Sequence, residues 1–105
     1  MLQVIRHIVL CKFRADVTEA QREAIFAELA ALRAHLPGIL AMSFGANVSP
    51  EGLGQGFAHG FSIDFADPTA RDTYLADDAH GQAGANLVAA LDGGLSGLLV
   101  FDIEI

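Results

Sequence analysis

A chain of 105 residues is the size of one domain and can bury about two-thirds of its unfolded surface, so a single domain spanning 1–105 with one core is expected. Six basic against thirteen acidic residues give a formal net charge of −7, which repels phosphate backbones and anionic lipid and argues against nucleic acid or a membrane surface as partner. The sequence is 52% apolar, yet no uninterrupted apolar run approaches the roughly 20 residues of a bilayer span, so a compact soluble protein is expected.

The chain opens as a strand, residues 4–13, with no basic segment and apolar stretch of the kind that directs export. Ile5, His7, Val9, Cys11 and Phe13 fall on one face, Arg6, Ile8, Leu10 and Lys12 on the other. Apolar residues on both faces imply that both are covered. Cys11 is the only cysteine, so it has no internal disulfide partner. It reads as a small buried hydrophobe in a reducing, cytoplasmic setting.

Thr18 with Gln21 three residues later forms a capping-box pattern, and Glu19 and Glu23 suit the positive end of a helix dipole. Ile25, Leu29, Leu32 and Leu36, with Phe26 beside them, recur at helical spacing and form the stripe that docks on the sheet. Pro37-Gly38 stops the helix. His35 beside that stop is accounted for by the helix dipole alone. Residues 39–48 read as a second strand, with a bulge or close approach at Gly45, and 49–56 as a flexible loop.

A third strand over 57–65 turns His59, Phe61, Ile63 and Phe65 to one face, and these large side chains must meet the helices. Asp67-Pro68 starts a helix, with Asp as N-cap and Pro at the first helical position. This helix is expected to carry Tyr74 and Leu75, to break over 77–84, to resume over 85–91 and to end at Asp92-Gly93-Gly94. Residues 98–105 close the chain as a fourth strand. The order βαββαβ is that of an α+β, ferredoxin-like split βαβ sandwich with a four-stranded antiparallel sheet.

The residues able to carry chemistry are His7, His59, Tyr74 and His80. In the assigned phases all four face one cleft between sheet and helices. There His80 can act as general base or acid, and Tyr74 can donate a hydrogen bond to a developing enolate or oxyanion. His7 is placed with these two as catalytic. His59, Phe26, Leu29, Phe61 and Ile63 form the expected substrate-binding wall. Each also has a plain packing reading: His7 and His59 as satisfied core histidines, Tyr74 as an amphipathic helix residue, 77–80 as a solvated turn. No HxH, HxxxH or HExxH pattern occurs and no strand precedes a GxGxxG loop, so neither a metal nor a nucleotide cofactor is expected.

Several motifs, taken in order, resemble the stress-responsive A/B barrel (Dabb) domain essentially from end to end. They are the opening 5–13, the Thr18-Glu19-Ala20-Gln21 helix start, Leu36-Pro37-Gly38, Phe44-Gly45 with Asn47, the His59 strand, Phe65 before an acidic cap, Tyr74 followed by His80, and Phe101-Asp102. The resemblance implies a dimeric α+β barrel, a homodimer in which two sheets pair across their helix-free faces, and this would cover Ile8 and Leu10. A plant cyclase of the family closes a linear tetraketide by an aldol-type condensation. Its strand-one and strand-three histidines correspond to His7 and His59, and its catalytic tyrosine and histidine to Tyr74 and His80. The pattern departs at Leu29, where that cyclase has tyrosine, and at Ala83, Leu87 and Leu91, which replace aromatic pocket residues. The 92–97 turn is also longer. The polyketide substrate therefore does not transfer.

Three functions follow as expectations. The first is cofactor-independent cyclase, isomerase or lyase chemistry on a small apolar or carbonyl-containing molecule. The second is a non-catalytic, stress-related dimer that holds a small ligand. The third is heme or oxygen-dependent chemistry, as in other dimeric α+β barrels.

Overall fold

A computed structural model describes residues 3–105; the first two residues of the expected domain lie outside it. Four strands, β1 (Ile5–Cys11), β2 (Ile39–Ala46), β3 (His59–Phe65) and β4 (Leu98–Glu104), form one sheet in the order β2-β3-β1-β4. Every neighbouring pair is antiparallel. The helices α1 (Glu19–Ala31), α2 (Pro68–Ala76) and α3 (Asp78–Ala89) complete the ferredoxin-like fold. Central β1 sets His7 opposite Ile63 of β3 and opposite Asp102 of β4.

The helix starts follow from local chemistry. Gln21 N donates to Thr18 Oγ1 at 3.1 Å and Thr18 N to Gln21 Oε1 at 2.8 Å, which satisfies amides that a helix terminus leaves unpaired. Ala70 N donates to Asp67 Oδ1 at 2.7 Å with Pro68 at the first helical position.

Several expected boundaries move. Strand one ends at Cys11, because Lys12 N bonds to the Gly97 carbonyl and Phe13 pairs only as a bridge with Leu91. Helix one ends at Ala31 and tightens into a 3₁₀ turn, Leu32–Ala34. His35 lies beyond that turn and faces a carboxylate: its Nε2 is 3.1 Å from both oxygens of Asp77. The break expected over 77–84 is a single residue. Asp77 ends α2 and at once caps α3, its Oδ2 accepting from His80 N at 2.9 Å. One good cap thus outweighs the helix-weakening effect of Gly81 and Gly84. The irregularity assigned to Gly45 lies instead between Ile39 and Ala41. The close approach is at Gly60, where a Cβ would stand 2.7 Å from the Val9 carbonyl oxygen.

The helix-facing side of the sheet carries the core. Tyr74, Phe65, Leu29, Ile63 and Cys11 are its largest fully buried side chains. The other side has no helix over it. Ile8 and Leu10 of β1 lie there beside Phe101 and Leu99 of β4, with Ile103 next in line, and the three β4 residues are exposed. Toward one end of this face Arg6 grips Asp64, its cross-strand neighbour, through two bonds of 2.8 and 3.0 Å.

Candidate active site

His7, Tyr74 and His80 meet at one end of the helix-facing side. The sheet supplies His7, α2 supplies Tyr74, and the first turn of α3 supplies His80, whose backbone is pinned by Asp77. The Tyr74 ring packs on His80 at 4.0 Å between centroids, on Phe65 at 5.1 Å and on His7 at 5.9 Å. Tyr74 is 1% exposed, and burial pushes its hydroxyl pKa well up, so it stays a donor across the physiological range.

His7 is the only buried polar residue of the described core, and it is partnered. Its Nδ1 lies 2.6 Å from Asp102 Oδ1, and because a carboxylate only accepts, Nδ1 carries the proton. Nε2 is left as the free nitrogen. The second Asp102 oxygen accepts from Arg71 at 3.3 Å. The resulting line Arg71, Asp102, His7 resembles the carboxylate–imidazole pairing that orients a working histidine.

His80 is the least satisfied group of the cluster. Its Nδ1 is buried without a hydrogen-bond partner among the described residues. Burial lowers its pKa, the nearby His7 lowers it further, and the Leu75 carbonyl and the Asp77 charge oppose the shift without giving Nδ1 a well-formed bond. The result is an imidazole kept neutral near pH 7, with lone-pair capacity, against a tyrosine that keeps its proton. Such a pair can move a proton to and from carbon and hold charge on an adjacent oxygen.

The structure does not bring the four residues of the expected cleft together: His59 stands apart from the cluster of His7, Tyr74 and His80. His59 pairs with Cys11 and His7 with Ile63, so the two histidines share a face but stand four positions apart, about 13 Å at strand rise. His59 packs on Phe13 at 5.6 Å and lines a concavity of about 500 Å³ with Phe26, Phe44 and Arg22. Desolvation and the Arg22 charge both lower its pKa. Of the expected substrate wall, Phe26 reaches this concavity, with Phe61 behind it at 5.9 Å, whereas Leu29 and Ile63 are sealed in the core. Cys11 is also sealed, its thiol pKa pushed up to about 12 by burial. Asp102 and Arg71 were not among the candidates. The available signal was a lone aspartate inside an apolar closing strand, on the face where β1 carries a histidine. Among the described residues no group of three or more His, Cys, Asp or Glu side chains converges as metal ligands, and no helix is long and apolar enough to cross a membrane.

A helix-backed four-stranded antiparallel sheet with a histidine–tyrosine cluster under one end defines an α+β protein of the ferredoxin-like class. The sequence profile of the stress-responsive A/B barrel (Dabb) domain matches residues 5–105, and the chain belongs to that family. It is 25% identical over 76 residues to olivetolic acid cyclase of Cannabis sativa, a span of 72% of this chain and 75% of that protein. Among solved structures, a dimeric ferredoxin-like protein of unknown function from Jannaschia sp. CCS1 matches with a TM-score of 0.90 at 29% identity, over 97% of this chain and 99% of that one. A protein of Arabidopsis thaliana matches with a TM-score of 0.87 at 28% identity, over 96% and 94%.

Proposed function

We propose that the protein is a cofactor-independent acid–base catalyst acting on a small carbonyl compound, in the manner of a cyclase, isomerase or lyase. The observation that carries this reading is the His80 imidazole, with its buried Nδ1 unpartnered and its pKa lowered, packed against a Tyr74 whose burial raises its pKa and keeps it protonated near pH 7. In the forward step His80 takes a proton from the carbon next to the carbonyl. The C–H electron pair moves into the carbonyl, and the Tyr74 hydroxyl donates a hydrogen bond to the enolate oxygen. The enolate carbon then attacks a second carbonyl, or the same molecule is reprotonated elsewhere, and His80 returns its proton to the product. His7, held by Asp102, orients the pair. The likeness to a cyclase supports the reaction class.

The helix-free face is assigned to a second copy of the chain. Its apolar strip of Ile8, Leu10, Leu99, Phe101 and Ile103 supports a homodimer, as do the dimeric structural relatives. A lone, sealed Cys11 supports a reducing compartment such as the cytoplasm.

The test is deuterium exchange at the acidic carbon of 2,4-pentanedione and of 3-oxo esters, followed by proton NMR. Exchange above the buffer rate that is lost in His80→Ala and weakened in Tyr74→Phe, with size and circular dichroism unchanged, is the expected result. Full exchange by His80→Ala would refute the assignment.

One observation favours a second reading, a dimer that binds a small molecule without converting it. Tyr74 fills the end of the sheet where His7 and His80 lie, whereas the concavity beside His59 and Phe26 is open. Under that reading His59→Ala and Phe26→Ala alter ligand affinity, and His80→Ala alters nothing.

A further inference from the structure

Two glycines sit inside α3, at 81 and 84. Glycine inside a helix is less favourable than alanine, so each position invites a reason. Backbone conformation gives none, since neither has a positive φ. Packing gives none at Gly84: a Cβ built there meets only His80 Nε2, at 3.9 Å, an ordinary contact. At Gly81 a Cβ meets nothing within 4 Å. The space left empty by Gly84 is therefore the space beside His80 Nε2. Tyr74 lies against one face of that ring, with centroids 4.0 Å apart and planes tilted by 40°, and Nδ1 is buried, which leaves Nε2 as the nitrogen a reactant can reach.

We infer that Gly84 is the aperture through which a reactant reaches His80 Nε2, and that the side chain at position 84 sets how bulky the reacting carbon may be. This rests on the reading of His80 as the proton acceptor. A reacting carbon must come within about 3–3.5 Å of the base. An approaching atom on the Gly84 side would occupy the ground that an alanine methyl would take. The class of substrate admitted is a carbonyl compound whose acidic carbon is unbranched and whose carbonyl segment is flat, so that it can lie over Gly84 against the Nε2 edge of the imidazole.

Access can be measured without any substrate. Diethyl pyrocarbonate acylates accessible imidazole nitrogens, and its rate at His80 is read by peptide mass spectrometry on the whole protein. Gly81→Ala is the matched control, a helix-favouring change on the same helix at a position where a Cβ meets nothing within 4 Å beyond its chain neighbours. Both Gly81→Ala and Gly84→Ala are expected to raise the thermal midpoint. Only Gly84→Ala, and more so Gly84→Val, should slow acylation of His80, by roughly tenfold or more for a pocket-filling methyl group. His35 and His59, remote from Gly84, should react at the wild-type rate. In the exchange assay the same variants should lose branched 3-oxo esters before unbranched ones. Acylation of His80 at the wild-type rate in Gly84→Val overturns the aperture. If acylation slows as expected but His80→Ala still exchanges carbon-bound protons, the aperture stands as an access route and the acid–base reading falls.

Discussion

Replacing Asp102 separates two contributions to the site, the hydrogen bond to His7 and the charge behind it. Asp102→Ala strands the His7 Nδ1–H, which points from a side chain only 6% exposed toward a carboxylate 27% exposed. A buried donor left without a partner costs about 1–3 kcal/mol. Because Asp102 lies on the edge strand β4, entering water recovers part of this, and a loss of about 1.5 kcal/mol is expected. At about 2.1 cal/mol/K per residue of unfolding entropy, that lowers the midpoint by about 7 °C. Asp102→Asn keeps an accepting oxygen and loses only the charge assistance, so about half that shift is expected. Urea unfolding at fixed protomer concentration gives the free energies, with an unchanged m-value showing that the same surface is exposed. Nitrogen-15 chemical shifts of His7 report the tautomer, which Asn should preserve and Ala should release. Equal midpoints for Asn and Ala would refute the reasoning, since the hydrogen bond that only Asn keeps would then not be felt.

The pH dependence has a defined sign. His80 and His59 bind protons less readily in the fold than in the unfolded chain, so between the free imidazole value near 6.5 and their lowered values the unfolded state carries more protons. Stability should therefore decline as pH falls through that window, with less decline in His80→Ala, as read by urea titrations at a series of pH values. The exchange activity should persist below the pH at which free imidazole is half protonated. Asp77, its pKa held low by the His80 amide and His35, adds a second loss at more acidic pH, below its ordinary value of 3.8. Asp77→Ala should lower the thermal midpoint through the lost α3 cap and reduce exchange through His80, and Asp77→Asn, which can still cap, should restore most of both. On the helix-free face, Ile8→Lys with Phe101→Lys should give a monomer by light scattering. A dimer that persists would remove the assigned interface.

What could be read from the chain was whatever is set locally. Thr18 with Gln21 and Asp67 with Pro68 carry their helix starts in a few adjacent residues, and both caps form as expected. Alternation likewise placed His7, His59, Phe61 and Ile63 on one face. A period of two specifies the face but not the height along the sheet, and height is what separates His59 from His7. That depends on register, a non-local property. The bond between His7 and Asp102 joins residues 95 apart in sequence through the pairing of β4 with β1, so no local pattern contains it. At Asp77 the difficulty was a competition: two aspartates and two glycines within eight residues look like a loop, until one carboxylate caps the amide three residues on.

His7 sits on β1, which is hydrogen-bonded on both sides, to β3 and to β4. His80 sits in the first turn of a helix whose start hangs on one side chain. Amides of a central strand exchange with solvent chiefly when the whole domain opens, whereas those of a helix end exchange through small local openings. The two halves of the cluster are thus mounted on parts of unequal permanence. His7 is mounted on the central strand, and His80 and the aperture at Gly84 are carried on a helix whose first turn depends on the Asp77 side chain.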